Sequence, residues 1–132
     1  TLCADNDCEN GIVDKNKFCY KAMCYETTKL ITKELSLKNE NYSVTFQSRL
    51  DDEWLKPYTD TELIKLAKKG KSKILIVSPA FVSDCLETII EISQINKAEF
   101  IKFGGQELTL VPSLNDNEDW VDAVIDIINS NE

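Results

Sequence analysis

The chain contains no histidine among its 132 residues. Serine–histidine–aspartate catalysis, zinc sites with histidine ligands and a histidine general base are therefore excluded within it. Glycine and proline are scarce, with four and three residues, and no glycine-rich phosphate-binding motif occurs, so a nucleotide ligand is not expected. No apolar run approaches the roughly 20 residues needed to cross a bilayer. The polar, acidic start of the chain does not read as a signal peptide.

Basic residues are also fewer than acidic ones. Lysine and arginine together number 15 against 23 aspartates and glutamates, for a net charge of −8. This balance argues against nucleic-acid binding, because a phosphate backbone requires a basic face. Length and a hydrophobic fraction of 42% indicate a soluble globular domain with its own core. Since the first residue is not methionine, we expect a processed chain or a fragment.

Hydrophobic patterning predicts alternating helices and strands. Helices are predicted at 20–35, from the capping box at Thr59 to Gly70, at 83–102 and from residue 116 or 117 onward, with strands at 42–47, 73–78 and 107–111. The side chains predicted to face the core are Met23, Leu30, Ile31 and Leu35, then Leu86, Ile89, Ile90 and Ile95, then Val121, Val124, Ile125 and Ile128. This order predicts an α/β fold: a parallel sheet with helices on both faces, in a Rossmann-like three-layer domain.

Three carboxylates open the third predicted helix. Asp84, Glu87 and Glu91 lie at i, i+3 and i+7, so a 3.6-residue period stacks them in one column. The helix follows a strand, and ligand crevices of parallel sheets lie at the carboxyl ends of strands. A solvent-facing acidic stripe on an ordinary amphipathic helix is the alternative interpretation.

The loop after the first predicted strand is expected at the same edge of the sheet. It carries Gln47, Ser48 and Arg49, and arginine is suited to bidentate bonds with a ligand carboxylate. Trp54 either packs on the core or stacks on a planar ligand. Cys85 is more typical of a small buried side chain than of a ligand. Together these residues predict a cleft for a planar, anionic ligand and a cation.

Four of the five cysteines crowd the start of the chain. Cys3, Cys8, Cys19 and Cys24 are separated by four, ten and four residues. Two disulfides, a zinc ion or an iron–sulfur cluster could each use four thiols in so short a span. The spacing favours a two-iron cluster weakly over zinc, whose ribbons use shorter gaps, and over disulfides.

Several segments together resemble the carboxyl-terminal half of ferrochelatase, the enzyme that inserts ferrous iron into a porphyrin to make haem. The matching segments are TFQSRL at 45–50, WLKPYTD at 54–60, PAFVSDCLET at 79–88, GG at 104–105 and VPSLN at 111–115. They follow the family's order and spacing from about residue 19 to the end. Any one of them is a weak signal, whereas the combination is specific.

The resemblance implies roles for the candidate residues. Glu87 matches the family's active-site glutamate, and Glu91 matches the next carboxylate on the same helix, with Asp84 as a further supporting acid. Gln47, Ser48, Arg49 and Trp54 fall where the family lines its porphyrin pocket, and Fe2+ is the second substrate. Some members carry a two-iron two-sulfur cluster, so the four early cysteines are expected to be its ligands.

The resemblance also divides the chain and implies partners. Residues 1–24 become a cluster-binding segment and 25–132 a chelatase-like carboxyl-terminal domain. The family's essential histidine and its amino-terminal domain are expected upstream, so the isolated chain is expected to be weakly active or inactive, and an unpaired sheet edge favours a homodimer. The implied location is cytoplasmic, at the membrane periphery, or an organelle matrix in a eukaryote. The alternatives are a non-catalytic iron–sulfur or porphyrin-binding module and a metal chaperone.

Overall fold

The computed structural model describes residues 8–47 and 54–130. Two compact units, Thr1–Thr59 and Asp60–Glu132, make up the chain. The functional boundary expected after residue 24 lies inside helix α1, Tyr20–Glu34, and stays a prediction. Among the described residues, every helix is too short or too polar to cross a membrane.

Helix α1 dominates the first unit and has a well-defined end. Its amino-terminal cap is Cys19, and Ala22 and Thr32 are its buried residues. At the other end Ser36 adopts a left-handed conformation with φ 52°. The backbone N–H groups of Ser36 and Leu37 then donate to the carbonyls of Lys33 and Thr32, which is the Schellman pattern that satisfies the last helical carbonyls.

The strand predicted at 42–47 is wrong in extent. Within the described residues this segment forms only an isolated parallel bridge between Phe46 and Tyr58. The Phe46 backbone N–H donates to Pro57 and its carbonyl accepts from Thr59, at 2.9 and 3.0 Å. Aromatic and β-branched residues favour a strand, but that preference depends on a pairing partner. Here the segment has one buried residue, Phe46, and its two backbone hydrogen bonds in place of a ladder of paired strands.

The second unit is built on a parallel two-stranded sheet. Strand β1, Lys73–Ile76, pairs with β2, Glu107–Leu110, in a register that aligns Ile74 with Leu108. Helix α2, Thr59–Lys68, precedes β1, and a long helix ending in α3, Lys97–Lys102, connects the two strands. The predicted α/β class with a parallel sheet is therefore confirmed.

The core of the second unit lies on one face of this sheet. Leu63 and Ala67 of α2 meet Ile92 and Phe100 of the long helix over Leu108. Phe100 and Leu108 are almost completely buried, and each such side chain contributes about 1.5–3 kcal/mol through its removal from water. Side chains alternate along the strands, so Leu75 on the opposite face is 68% exposed.

The long helix differs from the predicted α-helix over 83–102. After one α-helical residue, Leu86, residues Glu87–Asn96 form a π-helix, here called the π segment, which continues into α3. A π-helix has i→i+5 hydrogen bonds and so a wider turn than an α-helix. The buried residues Thr88, Ile92 and Asn96 of the π segment are spaced by four residues, and Phe100 of α3 is buried four residues further on.

The wider turn also explains a wrong prediction. The stripe expected to face the core, namely Leu86, Ile89, Ile90 and Ile95, is exposed by 37% to 74%. A 3.6-residue period selects these positions, whereas the π segment turns them outward.

Two other predicted core faces are largely exposed. Met23 and Leu30 of α1, Leu35 directly after it, and Val121, Ile125 and Ile128 of the last helix are between 46% and 63% exposed. Helix α4, Glu118–Asn129, does begin as predicted, because the Asn117 side chain accepts a hydrogen bond from the Trp120 backbone N–H at 3.2 Å. Its amphipathic pattern was recognised correctly, but the described residues do not bury it.

We expect Gly105→Ala to destabilise the second unit by about 1–3 kcal/mol, the usual cost of overpacking a core. A Cβ at Gly105 would overlap the buried Phe100 ring, whose backbone carbonyl also accepts from the Gly105 N–H at 3.0 Å. Urea unfolding measures the change. In a Phe100→Leu background the same substitution should cost less, and an equal cost in both backgrounds would contradict this explanation.

Candidate functional site

Glu87 and Glu91 form a pair on the π segment. They are four residues apart, so the wide turn keeps them on neighbouring positions of one face, and both are partly exposed. The segment begins after the loop that leaves the carboxyl end of β1, where ligands bind in parallel sheets. Both carboxylates therefore lie near a strand end, and the roles expected for them stay predictions.

Asp84 does not extend this column. It lies two residues before the helix begins, and its carboxylate is engaged by other groups. Oδ2 accepts from the Asn115 amide at 2.9 Å, while Oδ1 lies 3.3 Å from the Ser113 backbone N and 3.2 Å from the Thr88 hydroxyl. The bond from Asn115, followed by that from Ser113, lowers the pKa of the Asp84 carboxyl. Sequence periodicity placed Asp84 on the helix and missed this role of Asn115.

Cys85 acts on Glu87 rather than packing in the core. A hydrogen bond from the Cys85 thiol lowers the pKa of the Glu87 carboxyl, and the Glu87 backbone N–H lowers it further. Cys85 is partly exposed and free of any disulfide. The signal in the sequence for this effect is the position of Cys85, two residues before Glu87 at a helix start.

The expected porphyrin-side residues lie in the first unit. The indole Nε1 of Trp54 donates to the Gln47 carbonyl at 3.1 Å, and Trp54 remains 38% exposed. Ser48 and Arg49 lie outside the described residues. The expected convergence of these four residues with Glu87 stays a prediction.

Three of the four early cysteines are described, and Cys3 lies outside the described residues. The sulfurs of Cys8 and Cys19 are 3.6 Å apart, and Cys8 is buried. Burial raises the pKa of the Cys24 thiol, as does the nearby Cys19. In the described part of the chain, no three cysteine, aspartate or glutamate side chains are grouped to hold a metal ion.

An ion pair and an aromatic residue lie next to these cysteines. Glu9 accepts from Lys21 at 3.3 Å and from the Tyr25 hydroxyl at 3.2 Å. Burial and the adjacent Glu9 raise the pKa of Tyr25 to about 12, with smaller contributions from Cys24 and Cys8. These two hydrogen bonds join Glu9, the residue after Cys8, to the first turns of α1.

A shallow hollow of about 280 Å³ lies beside β2 in the second unit. Ile89, Ser93 and Lys97 of the long helix line one side of it, and Thr109 lines the other. Asp84 also lines it, whereas neither Glu87 nor Glu91 does. The hollow is therefore separate from the carboxylate pair.

The family model described as Ferrochelatase matches residues 8–132. The chain belongs to the ferrochelatase family. The match covers both units and every candidate site residue except Cys3, in agreement with the segments recognised in the sequence.

Bacterial ferrochelatases are similar to this family member along most of its length. The Coxiella burnetii ferrochelatase is 46% identical over 120 residues, which cover 90% of this chain and 34% of that protein. The Pseudomonas putida ferrochelatase is 42% identical over 127 residues, 96% of this chain and 38% of that protein. The chain thus spans little more than a third of the length of the curated relatives it matches. No solved structure gives a significant match.

In this ferrochelatase-family chain, we expect Cys85→Ala to raise the pKa of Glu87 toward its ordinary value, because the thiol donor is lost. Cys85→Ser keeps a donor and should keep the pKa low. Carbon-13 NMR of the Glu87 carboxyl across an acid titration measures both.

The same substitution should change acid stability in a defined direction. Because the folded-state pKa of Glu87 is lowered, its contribution to stability is present above the unfolded pKa and is lost as pH falls through the folded pKa. Cys85→Ala should lose less stability over that acidic range than the parent chain. An unchanged Glu87 titration in Cys85→Ala would contradict the role of the thiol.

Proposed function

We propose that this chain is the carboxyl-terminal part of a ferrochelatase that inserts Fe2+ into a porphyrin. One observation carries the proposal: in a chain of this family, Glu87 and Glu91 share one face of a π segment at the carboxyl end of β1. π-helical turns are rare and occur frequently at functional sites.

The proposed reaction exchanges protons for a metal ion. Two pyrrole N–H protons leave the macrocycle, and one Fe2+ sheds its water ligands and binds the four nitrogens, so charge and atoms balance. Carboxylate oxygens are preferred ligands of hard divalent cations and can replace those water molecules one at a time. Glu87 and Glu91 are suited to this transfer because they follow one another along one helix face.

The acidity of a glutamate carboxyl favours a metal-binding role for Glu87 over a proton-accepting one. A general base works best when its pKa lies near the operating pH, and the ordinary pKa of glutamate lies well below neutrality. An ionised carboxylate at neutral pH is instead a ready cation ligand. We therefore assign Fe2+ delivery to Glu87 and Glu91, and we assign proton removal to a group outside this chain, in keeping with the histidine expected upstream.

The porphyrin is proposed to contact Gln47, Ser48, Arg49 and Trp54. Support comes from Trp54, whose indole is tethered to the Gln47 carbonyl while more than a third of the residue stays exposed, so it has surface left for stacking. Arg49 would pair with a porphyrin carboxylate. We further propose that the upstream domain completes the pocket, that the isolated chain is weakly active or inactive, and that its sheet edge favours a homodimer.

We also propose that the early cysteines hold a two-iron two-sulfur cluster. Two thiolates on one tetrahedral metal at about 2.3 Å lie about 3.8 Å apart, close to the 3.6 Å between Cys8 and Cys19. Cys24 follows Cys19 by five residues, within the first turns of α1, and Cys3 would be the fourth ligand. When bound, such a cluster supplies one-electron redox chemistry, and the cysteines here would serve to hold it.

In the whole enzyme that contains this chain, Glu87→Gln should lower kcat for Fe2+ insertion on the order of 10²-fold, because a charge that stabilises the entering cation is lost. Porphyrin affinity, followed by fluorescence, should not change. Glu118→Gln, an exposed acid in the first turn of α4, is the matched control and should retain full turnover. Undiminished turnover in Glu87→Gln would refute the assignment, while porphyrin binding with no turnover in the parent would favour a non-catalytic module.

Purified without oxygen, the chain should contain two irons and two sulfides and absorb visible light. Cys8→Ser and Cys19→Ser should each lose the chromophore, since each removes one of two adjacent thiolates. Cys85→Ser, which alters the cysteine outside the early group, should retain it. Stoichiometric zinc without sulfide, or a chromophore that survives both early substitutions, would argue against the cluster.

A further inference from the structure

We propose that Asp84 and Asn115 are a pair of positioning residues that fix the start of the π segment and thereby the direction of Glu87. In this assignment Asp84 binds no metal and transfers no proton. The inference rests on the proposed function, since it concerns the site at which Fe2+ would be delivered.

The two residues hold one another reciprocally. The Asp84 backbone N–H donates to Asn115 Oδ1 at 2.9 Å, and Asn115 Nδ2 donates to Asp84 Oδ2 at 2.9 Å. Both the backbone and the side chain of Asp84 are therefore tied to one amide group. Two hydrogen bonds between the same two residues restrict the rotation of both side chains more than a single hydrogen bond does.

The remaining oxygen of Asp84 is also engaged. Oδ1 lies within hydrogen-bond distance of the Ser113 backbone N–H and of the Thr88 hydroxyl. Three donors thus surround a carboxylate that has about four lone-pair sites. A carboxylate so occupied is poorly suited to receive a hydrated cation, in contrast to Glu87.

The pair joins the two loops at the carboxyl ends of the strands. Asn115 adopts a left-handed conformation with φ 51°, which asparagine tolerates better than most residues. Its backbone N–H donates to the Val82 carbonyl at 2.8 Å, and its Nδ2 also reaches the Ser113 carbonyl at 3.1 Å. The loop after β2 therefore holds the loop after β1 at more than one point.

The contact continues into the first turn of the π segment. The hydroxyl of Thr88, which is fully buried, accepts from the Cys85 backbone N–H at 2.9 Å and shares its own proton between Asp84 Oδ1 and the Cys85 carbonyl. Glu87 lies between Asp84 and Thr88, so the chain is held on both sides of it. Loss of the pair should let the helix start shift and turn Glu87 away from its present direction.

Exchanging the two side chains separates a positioning role from a chemical one. In the double variant Asp84→Asn, Asn115→Asp, the amide placed at position 84 can donate to the carboxylate placed at position 115. The amide oxygen at position 84 can still accept from Ser113 and Thr88, and the backbone N–H of position 84 can still donate to the side chain at position 115. Only the bond from the side chain at position 115 to the Ser113 carbonyl is lost. The carboxylate, however, has moved from position 84 to position 115.

The affinity of the chain for Co2+, an analogue of Fe2+, is measured by calorimetry for both single variants and the double variant. We expect each single variant to bind about tenfold more weakly, the effect of losing a hydrogen bond to a charged group, and the double variant to recover most of the affinity. Asp116→Asn, which removes a neighbouring exposed charge, should bind like the parent. A double variant as weak as Asp84→Asn would overturn the proposal, because the carboxylate at position 84 would then itself be required.

Amide hydrogen exchange of Glu87 and Thr88 gives a second readout that needs no metal. Exchange should quicken in the single variants and slow again in the double variant, and failure to slow would overturn the proposal. If Glu87→Gln leaves Co2+ affinity unchanged, the proposed delivery role fails while the exchange data still decide the positioning role. If a single variant does not fold, folding of the double variant supports the pair, and its failure to fold overturns it.

Discussion

The wide turn of the π segment is the constraint on which the rest of this structure depends. Thr88, Ile92 and Asn96 lie in it four residues apart and are buried, and Phe100 of α3 is buried four residues further on. The same interval separates Glu87 from Glu91 on the adjacent line of the helix surface. One local feature of the backbone thus anchors the helix in the core and aligns two carboxylates outside it. Thr88 is buried without leaving its hydroxyl unsatisfied, because the hydroxyl bonds to the backbone of Cys85 at the start of the helix.

The loops after β1 and β2 fix the position of the π segment together with its wide turn. The residue at which a π segment starts determines which side of the helix each later side chain faces. The reciprocal bonds between Asp84 and Asn115 select one start. These residues are 31 positions apart, so their contact exists only when β1 and β2 pair in their parallel register. The direction of Glu87 consequently depends on the sheet as well as on its own helix.

Sequence reasoning succeeded where the signal is local and failed where it is not. The continuous apolar run at β1, the Thr59 start of α2 and the Asn117 cap of α4 were predictable because each rests on a few adjacent residues. The expected core stripe through Leu86, Ile89 and Ile95 was wrong, because an assumed 3.6-residue period cannot reveal a wider turn. Glu87 and Glu91 were predicted from a 3.6-residue period together with the strand-end rule, and only the strand-end rule is independent of the wider turn. The role of Asn115 could not be predicted, since no spacing along the chain indicates a contact across two loops.

The electrostatics of the site explain why two similar acids need not share one task. Hydrogen bonds lower the pKa of both Asp84 and Glu87, but the donors differ in what they leave accessible. Asp84 is surrounded by an amide, a backbone N–H and a hydroxyl, so its carboxylate oxygens are occupied by the hydrogen bonds that hold two loops together. Glu87 stays partly exposed, so its carboxylate oxygens can still meet a cation. A carboxylate kept ionised in this way attracts Fe2+ but is a weak acceptor for pyrrole protons. The chain has no histidine to take them, so the proposed function assigns metal delivery and proton removal to different groups.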